Sequence, residues 1–479
     1  MQKNLYSGHT LRQVRADTGL SQVDFAKKLG LSTPYINQIE NNNRPVTASV
    51  LLAIYRVFGT DLAAFEENDL DRMTQDLEEI FADTRFHGTR ISKQDLHELA
   101  TRAPEAARAI MDMYGTMRAY HEKDAGEDDL LQMNASDDGT GSISKSAYEE
   151  VRDYFHYQDN YVDAIDRAAE QLAIKINLLA DTPKLTALTD WLYDTYSITV
   201  EQHGAEDAAL IRHNEFERRI SIHRSVPDSS KSFLLGSVIA ELYAKDILTS
   251  EVADARFRTQ SAESIARLAL RNFFAGSLLL PYEAFLEAAA ASRHDIQRLS
   301  HQMDASIEQI CHRLSTLQRS GSKGIPFYFV KIDRAGNVVK RHSATRFQFA
   351  RFGGSCPRWN VHQAFEQTTD KFISQIAQMP DGVKYLCVAT SVTKLTTDYK
   401  TQARRYALGF GCEAQYADAI VYADGLALDD RAEPEPLGVN CRICPRDNCD
   451  QRAFPAINTT PFIDSRERGI VPYRAKAAR

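Results

Sequence analysis

Between residues 11 and 60 the apolar positions fall into four short groups at helical spacing. These are Leu11 and Val14; Phe25, Ala26 and Leu29; Tyr35, Ile36 and Ile39; and Val50, Leu51, Ile54 and Val57. The residues between them are helix punctuation. Gly19 and Gly30 are stops, Ser21 with Asp24 and Ser32 are N-caps, and Pro34 sits in a first turn where a missing N–H costs little. Four short helices are therefore expected, with further helices over 61–121. Residues 122–146 are acidic and rich in Gly and Ser and read as a flexible linker. From Ala147, Val151, Phe155, Val162, Ile165, Ala169, Leu172 and Ile176 keep spacings of three, four or seven, which predicts one long helix with Tyr154, Tyr157 and Tyr161 beside the apolar stripe. SITVEQ and RRISIH read as short strands, and 231–248, 259–291, 293–302 and 306–319 as helices. Near 325 the period shortens to two: a hairpin turning at Ala335-Gly336-Asn337, then VKYLCVATSVTKL and RRYALGFGC as strands.

The expected fold class is mainly α with a smaller α+β part. The segments are 1–61, a helix-turn-helix; 62–121, a helical connector; 122–146, the linker; 147–320, a helical domain; and 321–479, an α+β domain.

Composition narrows the function. The 479 residues carry a net charge of −8 and are 43% hydrophobic, and no apolar run approaches the roughly 20 residues of a membrane span. The first residues lack the apolar centre of an export signal, so a cytoplasmic location is expected. Seven cysteines in a long chain without such a signal point to metal or redox chemistry rather than disulfides.

An acidic protein that binds DNA needs a local basic face. Residues 1–60 supply it, with seven Lys or Arg against three Asp or Glu. In a helix-turn-helix the second helix enters the major groove with its early residues against base edges. The candidates are Thr33, Tyr35, Asn37 and Gln38, with Gln22 and Arg44 reaching the backbone. SQVDFAKKLGLSTPYINQIENNNRPVT resembles the XRE (Cro/C1-type) DNA-binding family.

The second constellation is Cys441-x2-Cys444-x4-Cys449. Two thiolates of a CxxC knuckle converge on one ion, and Cys412 in LGFGC is the candidate fourth ligand, with Cys356 in GGSCP in reserve. Four thiolates suit tetrahedral zinc or an iron–sulfur cluster, and the spacing does not choose between them. Free core cysteines and a redox pair are the competing readings.

SKSFLLGSVIAELYAKDIL and ARLALRNFFAGSLLLPYEAF resemble the two helices of the IrrE-type zinc-peptidase-like domain. Ser237, Val238 and Glu241 stand where that family places H-E-x-x-H, and Ser277 where it places a Glu ligand. A catalytic zinc normally needs three protein ligands, so a scaffold without peptidase activity is expected, its vacated cavity a ligand pocket. Tyr154, Tyr157, Tyr161 and Tyr282, with Glu241, are candidates to line a site for a short acyl chain. Arg313, Arg319 and Arg341 are candidate phosphate holders.

These parts, in this order, resemble the short-chain fatty acyl-CoA regulator group of XRE transcription factors, which includes propionate-metabolism regulators. STPYINQIENNNRPVT, SAYEEVRDYFHYQDNYVDAID, CHRLSTLQR, SATRFQFARFGGSCPRWNVHQAF and GVNCRICPRDNCDQRAFPA carry the match over nearly the whole chain. The resemblance implies a DNA-binding head, a degenerate peptidase-like core that senses acyl-CoA, and a C-terminal 4Fe-4S cluster. Its ligands would be Cys412, Cys441, Cys444 and Cys449. A homodimer, or a dimer of dimers, on a near-palindromic operator is expected, with propionyl-CoA as the effector. The competing functions are an iron–sulfur redox sensor and an active protease-type regulator.

Overall fold

The structure is a computed structural model. It describes residues 11–58 apart from 13, 16, 17, 19, 41–43 and 45; 68–81; 91–117 apart from 105, 112, 115 and 116; 147–347 apart from 181 and 205–208; 349; 354–367; 371–394; 402–428; 433–456 apart from 447; 459–463; 466; 469–471; and 473–477. The expected linker lies outside these residues. The chain divides into two compact units. The first is Met1–Lys145 with Phe454–Arg466 and Tyr473–Arg479, and the second is Ser146–Ala453 with Glu467–Pro472.

In the first unit, α1 (Gln22–Leu29), α2 (Thr33–Glu40) and α3 (Ala48–Phe58) follow a short helical stretch at Leu11–Arg15. Ser21 caps α1 through the Asp24 N–H, and Gly30 closes it in the left-handed conformation. Leu11, Phe25, Ile36, Ile39 and Ile54 are wholly buried and form the domain's own core. Two further helices follow, α4 (Asn68–Phe81) and α5 (Lys93–Arg102), the latter opened by a Ser92–Asp95 capping box.

The second unit departs from the expected long helix. α6 (Ala147–Tyr157) stops, and α7 (Asp163–Lys175) starts afresh. Asp159 and Asn160 take φ of 50° and 58°, and the Asn160 N–H returns to the Phe155 carbonyl at 2.8 Å, a left-handed C-cap that Asn tolerates. After α8 (Lys184–Tyr196), β1 (Thr199–His203), β2 (Ile211–Asn214) and β3 (Arg219–His223) form a small sheet of order β1-β3-β2 with β1 and β3 parallel. The two peptidase-like helices are α9 (Asp228–Tyr243) and α11 (Gln260–Leu279), with α10 (Lys245–Ala255) between. They cross closely, since a Cβ on Gly236 would meet Ala275 Cβ at 3.0 Å. Pro281 separates α11 from α12 (Tyr282–Ala291), so the stretch read as one helix over 259–291 is two. α13 (Ile296–Gln302) and α14 (Ile307–Leu314) complete the helical part.

A six-stranded sheet follows in the order β5-β4-β8-β7-β6-β9. It comprises β4 (Tyr328–Ile332), β5 (Val338–Ser343), β6 (Ile373–Gln378), β7 (Lys384–Lys394), β8 (Arg404–Glu413) and β9 (Glu435–Pro436). Its residues alternate between two cores. Phe329, Leu386, Val388, Leu408, Phe410 and Cys412 join the core that also holds Leu172, Leu270 and Leu314 of the helices. Tyr328, Val330, Tyr385, Cys387 and Ala407 face a second core with Phe347, Cys356, Trp359 and Leu437. The helical and sheet-bearing parts expected to divide near 320 thus share one interior.

Candidate functional site

α2 presents Asn37 and Gln38 outward, with Thr33 and Tyr35 half-exposed. Arg44 lies over the Tyr35 ring, 4.8 Å from its centroid. Behind this surface Glu40 is buried and accepts a fork from Arg15, at 2.7 and 3.1 Å. Gln22 donates to Glu40 Oε2 at 2.9 Å and faces Asn37 Oδ1 at 3.4 Å. Gln22 is therefore braced against α2 itself. The charge-assisted fork ties α2 to the helical stretch before α1 and holds the outward side chains at a fixed pitch.

At the expected peptidase centre, Ser237 and Val238 are buried on α9 and Glu241 is half-buried. Arg267 Nε contacts both Glu241 oxygens at 3.1 Å, and Arg271 Nε donates to the Ser237 carbonyl at 2.9 Å while lying 3.8 Å from Glu241. Burial works to raise the Glu241 carboxyl, but the two guanidiniums prevail and hold it below the usual carboxylate range. The one carboxylate at the ligand positions is thus engaged by cations.

Ser277, on α11, belongs to a different centre. Asp166 of α7 is fully buried and binds Ser277 Oγ at 2.6 Å, Arg313 Nη1 at 2.6 Å and Arg319 Nη2 at 2.7 Å. Arg319 also reaches Tyr161 OH at 2.9 Å and Glu170 at 2.8 Å, and stacks over the Tyr282 ring at 4.0 Å. Arg313 spans from Asp166 to the Leu280 carbonyl. Burial pushes the Asp166 carboxyl upward, yet the paired guanidiniums hold it below its ordinary value. The structure thus brings Tyr161, Tyr282, Arg313 and Arg319 together, around an aspartate that sequence reading did not single out. The signal was there: Asp166 sits beside Ile165 on the face shared by Val162 and Ala169, where a lone charge needs a partner. Tyr154 lies elsewhere, donating to Glu251 at 3.0 Å. Arg341 pairs with Val330 in the β4–β5 ladder, on the sheet face away from Phe329 and the helices. The side chain of Tyr157 lies outside the described residues.

A third polar group lies where α6, α14 and β5 meet. Asn160 Oδ1 faces His342 Nδ1 at 3.4 Å, and the His342 ring stands 4.5 Å from that of His312, edge to face. Phe155 and Phe329 flank it at 6.4 Å each. Burial, then Lys340, holds both imidazoles well below their usual range, so both are neutral at pH 7.

The thiols sort differently from expectation. Cys412 pairs with Leu386 on β8 and points into the helical core, wholly buried. Cys356 lies in the second core with Leu437, Val439 and, partly buried, Ile443 of the CxxC knuckle. Burial pushes the Cys356 thiol up, and the thiols of Cys444 and Cys441 act in the same direction. Arg358 feels Cys449. The knuckle itself is well tied. Asn440 Oδ1 accepts from the Arg442 and Ile443 N–H groups at 2.9 and 3.2 Å. Arg452 donates to the Cys441 and Cys444 carbonyls at 2.9 and 3.1 Å. Gly438 passes so near that a Cβ there would lie 2.7 Å from Cys444 Sγ. Strand parity aims Cys412 at the opposite sheet face from Cys356, so the two candidate fourth ligands lie in different cores. Among the described residues no three His, Cys, Asp or Glu side chains form a group that could grip a metal ion.

A helix-turn-helix domain in the first unit and a peptidase-like helix pair in the second are the parts of a helix-turn-helix transcription regulator. Family models agree: helix-turn-helix over residues 11–65, IrrE N-terminal-like domain over 169–315, and short-chain fatty acyl coenzyme A regulator, C-terminal, over 316–473. The chain is 45% identical over 478 residues to the propionyl-CoA carboxylase regulator of Cereibacter sphaeroides, covering 99% of each. It is 37% identical over 475 residues to the HTH-type transcriptional regulator RamB of Mycobacterium tuberculosis, covering 98% of this chain and 99% of the other. A solved Mycobacterium tuberculosis transcriptional regulator matches with a TM-score of 0.66 at 36% identity, covering 68% of this chain and 99% of that one. The chain belongs to the short-chain fatty acyl-CoA regulator family of transcription factors. Among the described residues no helix is long and apolar enough to cross a membrane.

Proposed function

We propose that this regulator controls short-chain acyl-CoA metabolism, propionyl-CoA first, by binding its operator as a cytoplasmic homodimer and releasing or tightening it when a short acyl-CoA occupies the second unit. The observation that carries the reading is end-to-end similarity to a propionyl-CoA carboxylase regulator, joined to a braced recognition helix. To act, the effector must bind one conformation more tightly than the other. The second unit works as a sensor and not as a peptidase, since Glu241 is held by Arg267 and Arg271.

Operator binding tests the head. Asn37→Ala with Gln38→Ala removes outward polar groups that touch no core, so the fold stays intact while specific affinity falls about tenfold or more per lost base contact. Unchanged gel shifts would remove α2 from the role of reader. Adding propionyl-CoA to the wild-type complex should shift operator affinity by about 5- to 150-fold. No shift with any short acyl-CoA would remove the effector.

For the cofactor we propose a 4Fe-4S cluster, with zinc as the alternative, on Cys441, Cys444 and Cys449 with Cys356 as the fourth ligand, thiols that do not stand as a closed group in the structure and would draw together on binding. Four sulfur donors suit either group. Support for this set comes from the shared core of Cys356 and Ile443, the Gly438 cradle and the Asn440 and Arg452 ties. A cluster there would supply reversible electron transfer. Protein purified without oxygen should contain about four iron per chain. Cys356→Ser should abolish the metal and Cys412→Ser should retain it, and the reverse pattern would restore Cys412 as the ligand.

A further inference from the structure

Asn160 fulfils one role visibly. Its left-handed backbone ends α6, and for that role Gly would serve as well. The side chain is not needed for the cap, yet the residue is only 2% exposed. Its Oδ1 is turned to His342, and its Nδ2 is a buried donor with no partner. Leaving such a donor unmet costs about 1–3 kcal/mol, so an acceptor from outside the chain is the natural complement. The surroundings select its chemistry. Phe155 and Phe329 offer rings, and the His312–His342 pair is uncharged. The rings and the two uncharged imidazoles suit a neutral carbonyl on a short apolar chain, with Lys340, which acts on both imidazoles, as the nearby cation.

We infer that Asn160 reads the effector directly, its Nδ2–H donating to the acyl carbonyl oxygen of a short acyl thioester held beside Phe155, His312 and His342. This rests on the reading of a short acyl-CoA as effector. It also places the contact at the end of α6, the first helix after the acidic segment 122–146. A bound carbonyl would stiffen the turn in which α6 ends and α7 begins.

Two substitutions separate reading from capping. Asn160→Gly keeps the left-handed turn and removes the amide, and Asn160→Asp keeps the size and removes the donor. Full-length wild type and both variants are titrated with propionyl-CoA and with free CoA by calorimetry, alongside thermal melts and operator binding without effector. The expected result is a tenfold or greater loss of propionyl-CoA affinity in both variants, with free CoA affinity and effector-free operator binding unchanged and the melts showing each variant folded. If both variants, or Asn160→Gly alone, bind propionyl-CoA as the wild type does, Asn160 is a cap with a buried water and the inference is overturned. If free CoA weakens equally, the contact is to the carrier and the acyl assignment is overturned. Wild type that binds no short acyl-CoA overturns the effector reading itself, a separate result from either of these.

Discussion

Asp166 shows how much one side chain organises. Two arginines, a serine and a nearby tyrosine converge on it from the turn before α7, from α11, from α14 and from the loop after α14. A buried pair of this kind adds little net stability when complete, because desolvation offsets the attraction, but breaking it strands a charge. Arg313→Met should therefore cost about 3–5 kcal/mol in denaturant unfolding. A loss under about 1 kcal/mol would mean that Arg319 satisfies the carboxylate alone. The imidazoles give a second residue-scale expectation. His312 and His342 stay neutral in the fold, whereas the unfolded chain protonates them near pH 6.5. The unfolded state then binds more protons, so stability is full above about pH 6.5 and falls as pH drops below it. Melting temperature measured from pH 7.5 to 5.5 should show this slope, and replacing both imidazoles with Gln should flatten it. A slope unaltered by that replacement would assign the acid sensitivity to other groups.

Elements were legible where their punctuation was local. Ser21 and Gly30 bracket α1, the Ala335-Gly336-Asn337 turn joins β4 to β5, and the alternation of β7 and β8 shows in the residue pattern. The break after α6 turns on a conformation that periodicity does not register, whereas the break at Pro281 was there to be read. Asn160 breaks the helix after α6 although the apolar spacing from Phe155 to Val162 continues across the break, and Tyr154 and Tyr161 consequently part company. The same limit applies to the thiols. The knuckle is a local pattern, but its fourth member depends on which sheet face a cysteine meets, and pairing partners far away in sequence decide that. Asp166 was visible as a charge on an apolar face, whereas Arg313 and Arg319 as its partners were not, since contacts across some 150 residues leave no periodic trace.

At the scale of the molecule, the helix-turn-helix and the peptidase-like core lie in different compact units, and each has its own interior. Under the proposed function, regulation needs only a difference in effector affinity between two states. A ligand that favours one state by about 3 kcal/mol moves operator occupancy on the order of a hundredfold. The second unit has a further property. Its interior runs unbroken from Val151 to Ala423 and takes in both the helices and one sheet face. A chimaera that joins the helices of one relative to the strands of another would splice two unmatched halves of a single apolar mosaic. The span from Ser146 to Ala453 is expected to transplant as one folding module, and a cut between its helices and strands to cost it that shared interior.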